Sequence, residues 1–85
     1  MAEDTSTVAV NYFAALVDAV GCEREQFTLA DPTVGGLRRA IGWRHGDRAG
    51  ELAAHCSVLD GDRLLRADTE VIGSQVDVLP PFAGG

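Results

Sequence analysis

The residues best suited to chemistry lie at the end of the chain, in the segment VLPPFAGG. Pro80 and Pro81 cannot continue a strand ladder, so we expect residues 80–85 to form an extended, flexible tail that starts as polyproline II. A six-residue tail of this kind can reach about 20 Å past the sheet. Gly84 and Gly85 lack side chains, so they could pass through a narrow channel and present an α-carboxylate to another protein's active site. The alternative is a frayed end without function, but a rigid diproline and an aromatic residue before the glycines favour a functional tail.

Side chains that could act as metal ligands or nucleophiles are few. Cys22 and Cys56 are the only cysteines; they match no metal-ligand spacing and are too few for a disulfide scaffold. With His45 and His55 they could be combined into a zinc site, but the spacing fits no known zinc pattern. His55 and Cys56 are adjacent, and adjacent strand residues point to opposite faces, which disfavours a Cys–His nucleophile pair. The sequence therefore predicts two reduced thiols, no metal site and no catalytic side chain.

Composition and charge exclude several classes of function. The chain has 85 residues, 46% of them hydrophobic, which suits one small domain spanning 1–85 but not two cores. Its net charge of −6 disfavours nucleic acid and anionic membranes as partners. All seven basic residues are arginine, so no lysine can form a Schiff base or serve a P-loop. The acidic, polar start (MAEDTS) and the absence of a long apolar run predict a cytoplasmic protein.

Hydrophobic periodicity predicts strands on both sides of a helical middle. Strands are expected at 7–13, 25–29, 56–59, 63–65 and 75–79, and helical segments at 14–20, 33–41 and 47–54. The main helix should begin at Thr33, its N-cap, and end where Gly42 breaks the pattern. Leu52 is expected to be the main anchor of the following helix. Trp43, the only tryptophan, is expected to cover one end of the core.

The order of these elements predicts an α+β domain in two layers. About five strands would form a mixed sheet, with one main helix packed on one face. A right-handed crossover through that helix would make the first and last strands parallel neighbours at the sheet centre. This arrangement is the β-grasp, or ubiquitin-like, fold.

Three segments of the chain resemble the MoaD/ThiS-type sulfur carriers, especially the small subunit of molybdopterin synthase. They are the tail VLPPFAGG, the start VNYFAALVDAVG and the middle segment HCSVLDGDRLL. The resemblance covers most of the chain, and the PP-x-x-GG terminus is its most specific part. One departure lies in the first helical turn, where the family often carries an Arg-Glu pair and this chain has Val17 and Asp18.

The resemblance implies that the chain is no enzyme on its own but the sulfur-donating subunit of a sulfurtransferase complex. A ubiquitin-activating-type enzyme would use ATP to adenylate the carboxylate of Gly85, which follows Gly84, and sulfur would displace AMP to leave a thiocarboxylate. In molybdopterin synthase the tail enters the large subunit of a heterotetramer and donates sulfur to precursor Z. No cofactor would be bound permanently, because the ATP is used by the activating enzyme.

The resemblance also implies a partner-binding surface that contains Phe13, Leu64 and Leu79. Strand alternation independently puts Phe13 and Leu79 on the non-core side of neighbouring strands, and Leu64 could join them from the hairpin strand. An exposed apolar patch beside the tail is what partner binding requires. The alternative is that one or more of the three simply pack under a loop. The contact would be completed by four tail residues: Pro80, Pro81, Phe82 and Ala83.

Three other functions remain open on the sequence. The chain could carry sulfur for another pathway, such as thiazole, cysteine or thio-natural-product synthesis. It could be a ubiquitin-like modifier that is joined to target lysines through Gly85. It could also be an interaction module whose terminus is inert.

Overall fold

The structure, a computed structural model, describes residues 5–81. The elements are, in chain order, β1 (Ser6–Tyr12), α1 (Ala15–Val20), β2 (Arg24–Leu29), α2 (Val34–His45), α3 (Asp47–Ala54), β3 (Ser57–Asp60), β4 (Arg63–Leu65) and β5 (Gln75–Leu79). Four predicted tail residues lie outside the described range: Phe82, Ala83, Gly84 and Gly85. Within that range, no helix has the length and apolar character needed to cross a membrane.

The strands form one mixed sheet of five strands in the order β2-β1-β5-β3-β4. β1 and β5 are parallel neighbours at its centre, with Val10 opposite Val76 and Tyr12 opposite Val78. The other neighbours pair antiparallel. A parallel pair cannot be joined by a tight hairpin, and the chain between β1 and β5 contains all three helices. This topology confirms the predicted α+β, β-grasp fold.

The core lies on one face of the sheet, between the strands and the helices. The inward residues of β1 are almost fully buried, as strand alternation predicts: Val8, Val10 and Tyr12. Helix α2 packs Leu37 and Ile41 into the same cluster. The alternate residues of β1, such as Ala9 and Asn11, are partly exposed on the opposite side. We call that side of the sheet the outer face.

Helix α2 begins as the sequence predicts. Thr33 has an extended backbone, and its side chain Oγ1 accepts a hydrogen bond from the Gly36 amide at 3.0 Å, which is the geometry of an N-cap. Gly36 is also required by space, because a Cβ there would overlap the backbone carbonyl of Asp31. Gly36 therefore permits close packing against the preceding loop, and Gly35 permits a similar approach to Asp68, in the segment after β4.

The prediction that α2 ends at Gly42 is wrong, since the helix continues to His45. Gly42 lies instead where α2 crosses α3: a Cβ on Gly42 would be 3.2 Å from the Cα of Gly50. A glycine inside a helix costs about 1 kcal/mol relative to alanine. Here the two glycines allow the helix backbones to approach closely, and that tertiary contact overrides the local preference.

Two packing predictions in this region are also wrong. Trp43 does not cover the core; it is 93% exposed. Trp43 follows Ile41 by two residues, which is about 200° around a helix. Because Ile41 faces the core and is fully buried, Trp43 faces the solvent. Leu52 is only partly buried, and α3 is anchored instead by Ala49 and Ala53, both fully buried, because small residues suit the close contact with α2.

Candidate functional site

The candidate site is the edge of the domain where β5 ends and the tail begins. β5 stops at Leu79, and Pro80 and Pro81 follow outside the ladder, as expected for residues without a backbone donor. An open groove of about 510 Å³ lies beside this exit, and we call it the tail-exit groove. Its lining residues are Arg38, His55, Cys56, Ser57, Leu64, Arg66, Leu79, Pro80 and Pro81.

Sheet register explains why Leu64 and Leu79 share this groove. Leu79 of β5 is paired with Ser57 of β3, and Leu64 of β4 is paired with Leu59, two residues further along β3. Residues two apart on a strand lie on the same face, so both leucines project from the outer face. Leu64 is 51% exposed and Leu79 is partly exposed. The predicted pair is thus accessible and adjacent to Pro80.

Phe13 borders this region without lining the groove. It directly follows β1, and the preceding residue, Tyr12, is paired with Val78 of β5. Phe13 is therefore level with Leu79 on the neighbouring strand, and it is 43% exposed. The structure brings Leu64, Leu79, Pro80 and Pro81 together, with Phe13 at their margin.

Arg38 supports the groove from the helix side, and sequence reasoning did not single it out. Its guanidinium donates to the backbone carbonyls of Ala53 at 3.1 Å, Cys56 at 2.5 Å and Arg66 at 3.2 Å. It also pairs with the carboxylate of Asp68 at 2.6 Å. One side chain thus ties α2 to the end of α3 and to β3 and β4, the strands that line the groove.

Two charged side chains on the outer face are held by neutral neighbours. Asn11 Nδ2 donates to Asp77 Oδ1 at 2.9 Å, across the parallel β1–β5 pair. Arg66 Nε donates to the hydroxyl oxygen of Ser57 at 3.2 Å. Neither Asp77 nor Arg66 forms an ion pair with another of residues 5–81.

The cysteines supply no reactive group to the site. Cys56 is buried, and its thiol donates to the backbone carbonyl of Leu52 at 3.0 Å. Burial raises the pKa of the Cys56 thiol to about 11, so it stays protonated and is a poor nucleophile at neutral pH. Burial likewise raises the pKa of Cys22. In the part of the chain that the structure describes, no cluster of three or more His, Cys, Asp or Glu side chains could hold a metal ion.

A second polar cluster lies at the opposite edge of the sheet, on β2. Glu25 accepts hydrogen bonds from the Tyr12 hydroxyl and from Arg44, and it contacts His45 Nε2 at 2.5 Å. Burial would raise the pKa of Glu25, but these hydrogen bonds outweigh it and hold the pKa below its usual value. Arg44 also lies over the Phe27 ring, 4.0 Å from its centroid. These contacts fasten the end of α2 to β2, which is separated from β5 by β1 in the sheet order.

Comparison with known proteins gives similar structures but no match to a family model or to a curated protein. Small archaeal modifier protein 1 from Haloferax volcanii is 26% identical, with a TM-score of 0.68 over 91% of this chain and 99% of that one. The HVO 2177 protein of Haloferax volcanii is 26% identical, with a TM-score of 0.73 over 100% of this chain and 92% of that one. A candidate molybdopterin converting factor, subunit 1, from Pyrococcus furiosus is 23% identical, with a TM-score of 0.72 over 91% and 99%.

These similarities extend over nearly the whole of each chain, so they concern the complete β-grasp domain and not a shared fragment. The chain therefore has the MoaD/ThiS-like, ubiquitin-like fold of small carrier and modifier proteins.

Proposed function

We propose that the chain is a ubiquitin-like sulfur carrier that works through the carboxylate of Gly85. One observation carries the proposal: β5 runs into Pro80 and Pro81 at the margin of an accessible apolar surface that contains Leu64 and Leu79. A partner that docks there receives the tail in its own active site. The raised pKa of the Cys56 thiol fits a carrier that does not use this side chain as a nucleophile.

The chemistry takes place at the end of the tail. A carboxylate is a poor electrophile, so a ubiquitin-activating-type enzyme first transfers AMP from ATP to the Gly85 carboxylate and releases pyrophosphate. Hydrosulfide, or a persulfide followed by reduction with a thiol, then attacks the acyl carbon and displaces AMP. The product is a thiocarboxylate on a long arm. Gly84 and Gly85 leave room for this exchange in a narrow site.

We further propose that the chain is the small subunit of molybdopterin synthase. The PP-x-x-GG tail of the sequence favours this branch of the family, and the Pyrococcus furiosus protein with the same fold is described as a candidate molybdopterin converting factor subunit. The partner would be the large subunit, in a heterotetramer, where the thiocarboxylate donates sulfur to precursor Z. Phe13, Phe82 and Ala83 would contact both the activating enzyme and the large subunit.

A second candidate function is protein modification. It is favoured by the 26% identity to small archaeal modifier protein 1 of Haloferax volcanii. In that case the activated Gly85 carboxylate would form an isopeptide bond with a target lysine. The chain has no lysine of its own, so it could not build polymers through its side chains.

A reconstitution experiment distinguishes the molybdopterin synthase subunit from the protein modifier. The chain is prepared with a C-terminal thiocarboxylate and mixed with a molybdopterin synthase large subunit and precursor Z, and formation of the dithiolene is followed. Dithiolene formation that is lost when residues 84–85 are removed supports the synthase subunit. If no dithiolene forms while a known small subunit is active in the same assay, the molybdopterin role is wrong. Isopeptide-linked adducts of the chain in cells would then favour the modifier.

A further inference from the structure

The outer face near the tail has a regular arrangement of six positions, which we call the docking patch. Asp77, Leu59 and Leu64 form one row across β5, β3 and β4. Leu79 and Ser57 form the next row. Arg66 directly follows the last paired residue of β4, Leu65, and its side chain lies beside Ser57. The hydrogen bond from Arg66 Nε to Ser57 Oγ agrees with this placement.

The two charges of the docking patch lie at opposite corners. Asp77 and Leu79 form its β5 side, and Leu64 and Arg66 form its β4 side, so a negative corner is diagonal to a positive one. Strands lie about 4.8 Å apart and successive same-face residues about 6.8 Å apart. The two backbone positions are therefore separated by about 12 Å. Leu64 and Leu79 occupy the other two corners.

Both charged groups are held in place, and neither forms an ion pair with another of residues 5–81. The Glu70 carboxylate accepts a hydrogen bond from the backbone amide of Arg66, at 3.2 Å, and not from its guanidinium. Asp77 is partly buried and is oriented by the amide of Asn11, and Arg66 is oriented by the hydroxyl of Ser57. Arg38, Arg39 and Arg44, by contrast, each pair with a carboxylate. Neutral neighbours fix the positions of the two charged groups and leave their charges available to another molecule.

We propose that Asp77 and Arg66 determine the orientation in which a partner docks. The inference rests on the proposed carrier function, in which a partner must bring its active site to the tail. The partner's surface carries a cationic side chain opposite Asp77 and a carboxylate opposite Arg66, on either side of an apolar contact with Leu64 and Leu79. An apolar contact alone does not fix rotation about its own axis, whereas a diagonal pair of opposite charges admits one orientation.

The test is the Michaelis constant of the chain in ATP–pyrophosphate exchange by its activating enzyme. Asp77→Asn and Arg66→Gln each remove one charge, and each is expected to raise KM about three- to fivefold at low salt, the range of an exposed ion pair. The kcat value should not change, because the tail is unaltered. The difference from wild type should shrink as salt is added. Matched controls are Glu51→Gln and Arg48→Gln, which make the same charge changes at exposed positions of α3.

Asp77→Asn and Arg66→Gln change the net charge in opposite directions. They therefore distinguish specific contacts with the partner from a long-range effect of net charge on the encounter. If net charge alone guides the encounter, one variant lowers KM and the other raises it, and the proposal is wrong. KM values equal to those of the α3 controls would also overturn it, while leaving the carrier function intact. If wild-type chain supports no exchange with an enzyme that activates a known carrier, the proposed function fails and this inference fails with it.

Discussion

Arg38 should be the most important polar side chain for the stability of the domain. Its guanidinium serves three backbone carbonyls and the Asp68 carboxylate, and its side chain is only 17% exposed. Hydrogen bonds that involve a charged group contribute about 1.5–3 kcal/mol each. In the Arg38→Ala variant, water can reach some of the carbonyls that Arg38 binds. The cost is therefore smaller than the sum of the individual hydrogen-bond energies. We expect the variant to lose about 3–4 kcal/mol of unfolding free energy.

The neighbouring residue provides a matched control. Among residues 5–81, Arg39 pairs only with Asp31, at 2.9 Å, and its side chain is 71% exposed. Exposed ion pairs contribute at most about 1 kcal/mol, so Arg39→Ala should cost less than that. Urea unfolding followed by circular dichroism measures both values at one pH and salt concentration.

A second substitution, Arg38→Lys, keeps the prediction testable if the Arg38→Ala variant does not fold. A domain of this size has about 4–13 kcal/mol of stability in total, so Arg38→Ala could be close to unfolding. Arg38→Lys keeps the charge but cannot reach several acceptors at once, and it should cost about half as much. The reasoning is refuted if Arg38→Ala and Arg39→Ala destabilise the domain equally.

Three further predictions concern glycine packing, the exposed tryptophan and alkaline pH. Gly36→Ala should cost more than about 2 kcal/mol in urea unfolding, because its Cβ would overlap the Asp31 carbonyl; a neutral effect would contradict the close approach. Trp43→Ala should change stability by less than about 0.5 kcal/mol, because the side chain is 93% exposed, and a large loss would mean that it packs on the core. The buried Cys56 thiol has its pKa raised from 9.0 to about 11, so its protonated form stabilises the folded state below pH 9. This contribution should be lost as pH rises through 11, and a Cys56→Ala variant should show a smaller alkaline loss than wild type.

The strands could be predicted from the sequence because their signals are local. Alternation predicts 63–65 and 75–79 with the bounds that the structure has, and β1 is displaced by only one residue. The position of Leu64 and Leu79 on the same face of the sheet also follows from alternation, once β3 is placed between β4 and β5. This part of the candidate site could therefore be predicted from the two-residue period of the strands and the strand order.

The remaining features depend on contacts between distant segments. Gly42 is a helix breaker by propensity, and only the position of Gly50 in α3 explains why it lies inside a helix. Helix periodicity places Arg38 at the border of the apolar stripe and Arg39 opposite it. It does not show which acceptors Arg38 meets, because these carbonyls come from α3 and from the residues next to β3 and β4. The diagonal placement of Asp77 and Arg66 likewise depends on how β5, β3 and β4 are aligned with one another.

The central claim is that the Gly85 carboxylate is activated and exchanged for a thiocarboxylate. Intact mass is measured after the chain is incubated with ATP, sulfide and a ubiquitin-activating-type enzyme, and a chain without Gly84 and Gly85 is the control. The account predicts a mass gain equal to one oxygen replaced by sulfur, absent from the truncated chain and from reactions without ATP. An unchanged mass, under conditions in which a known carrier is modified, would contradict it.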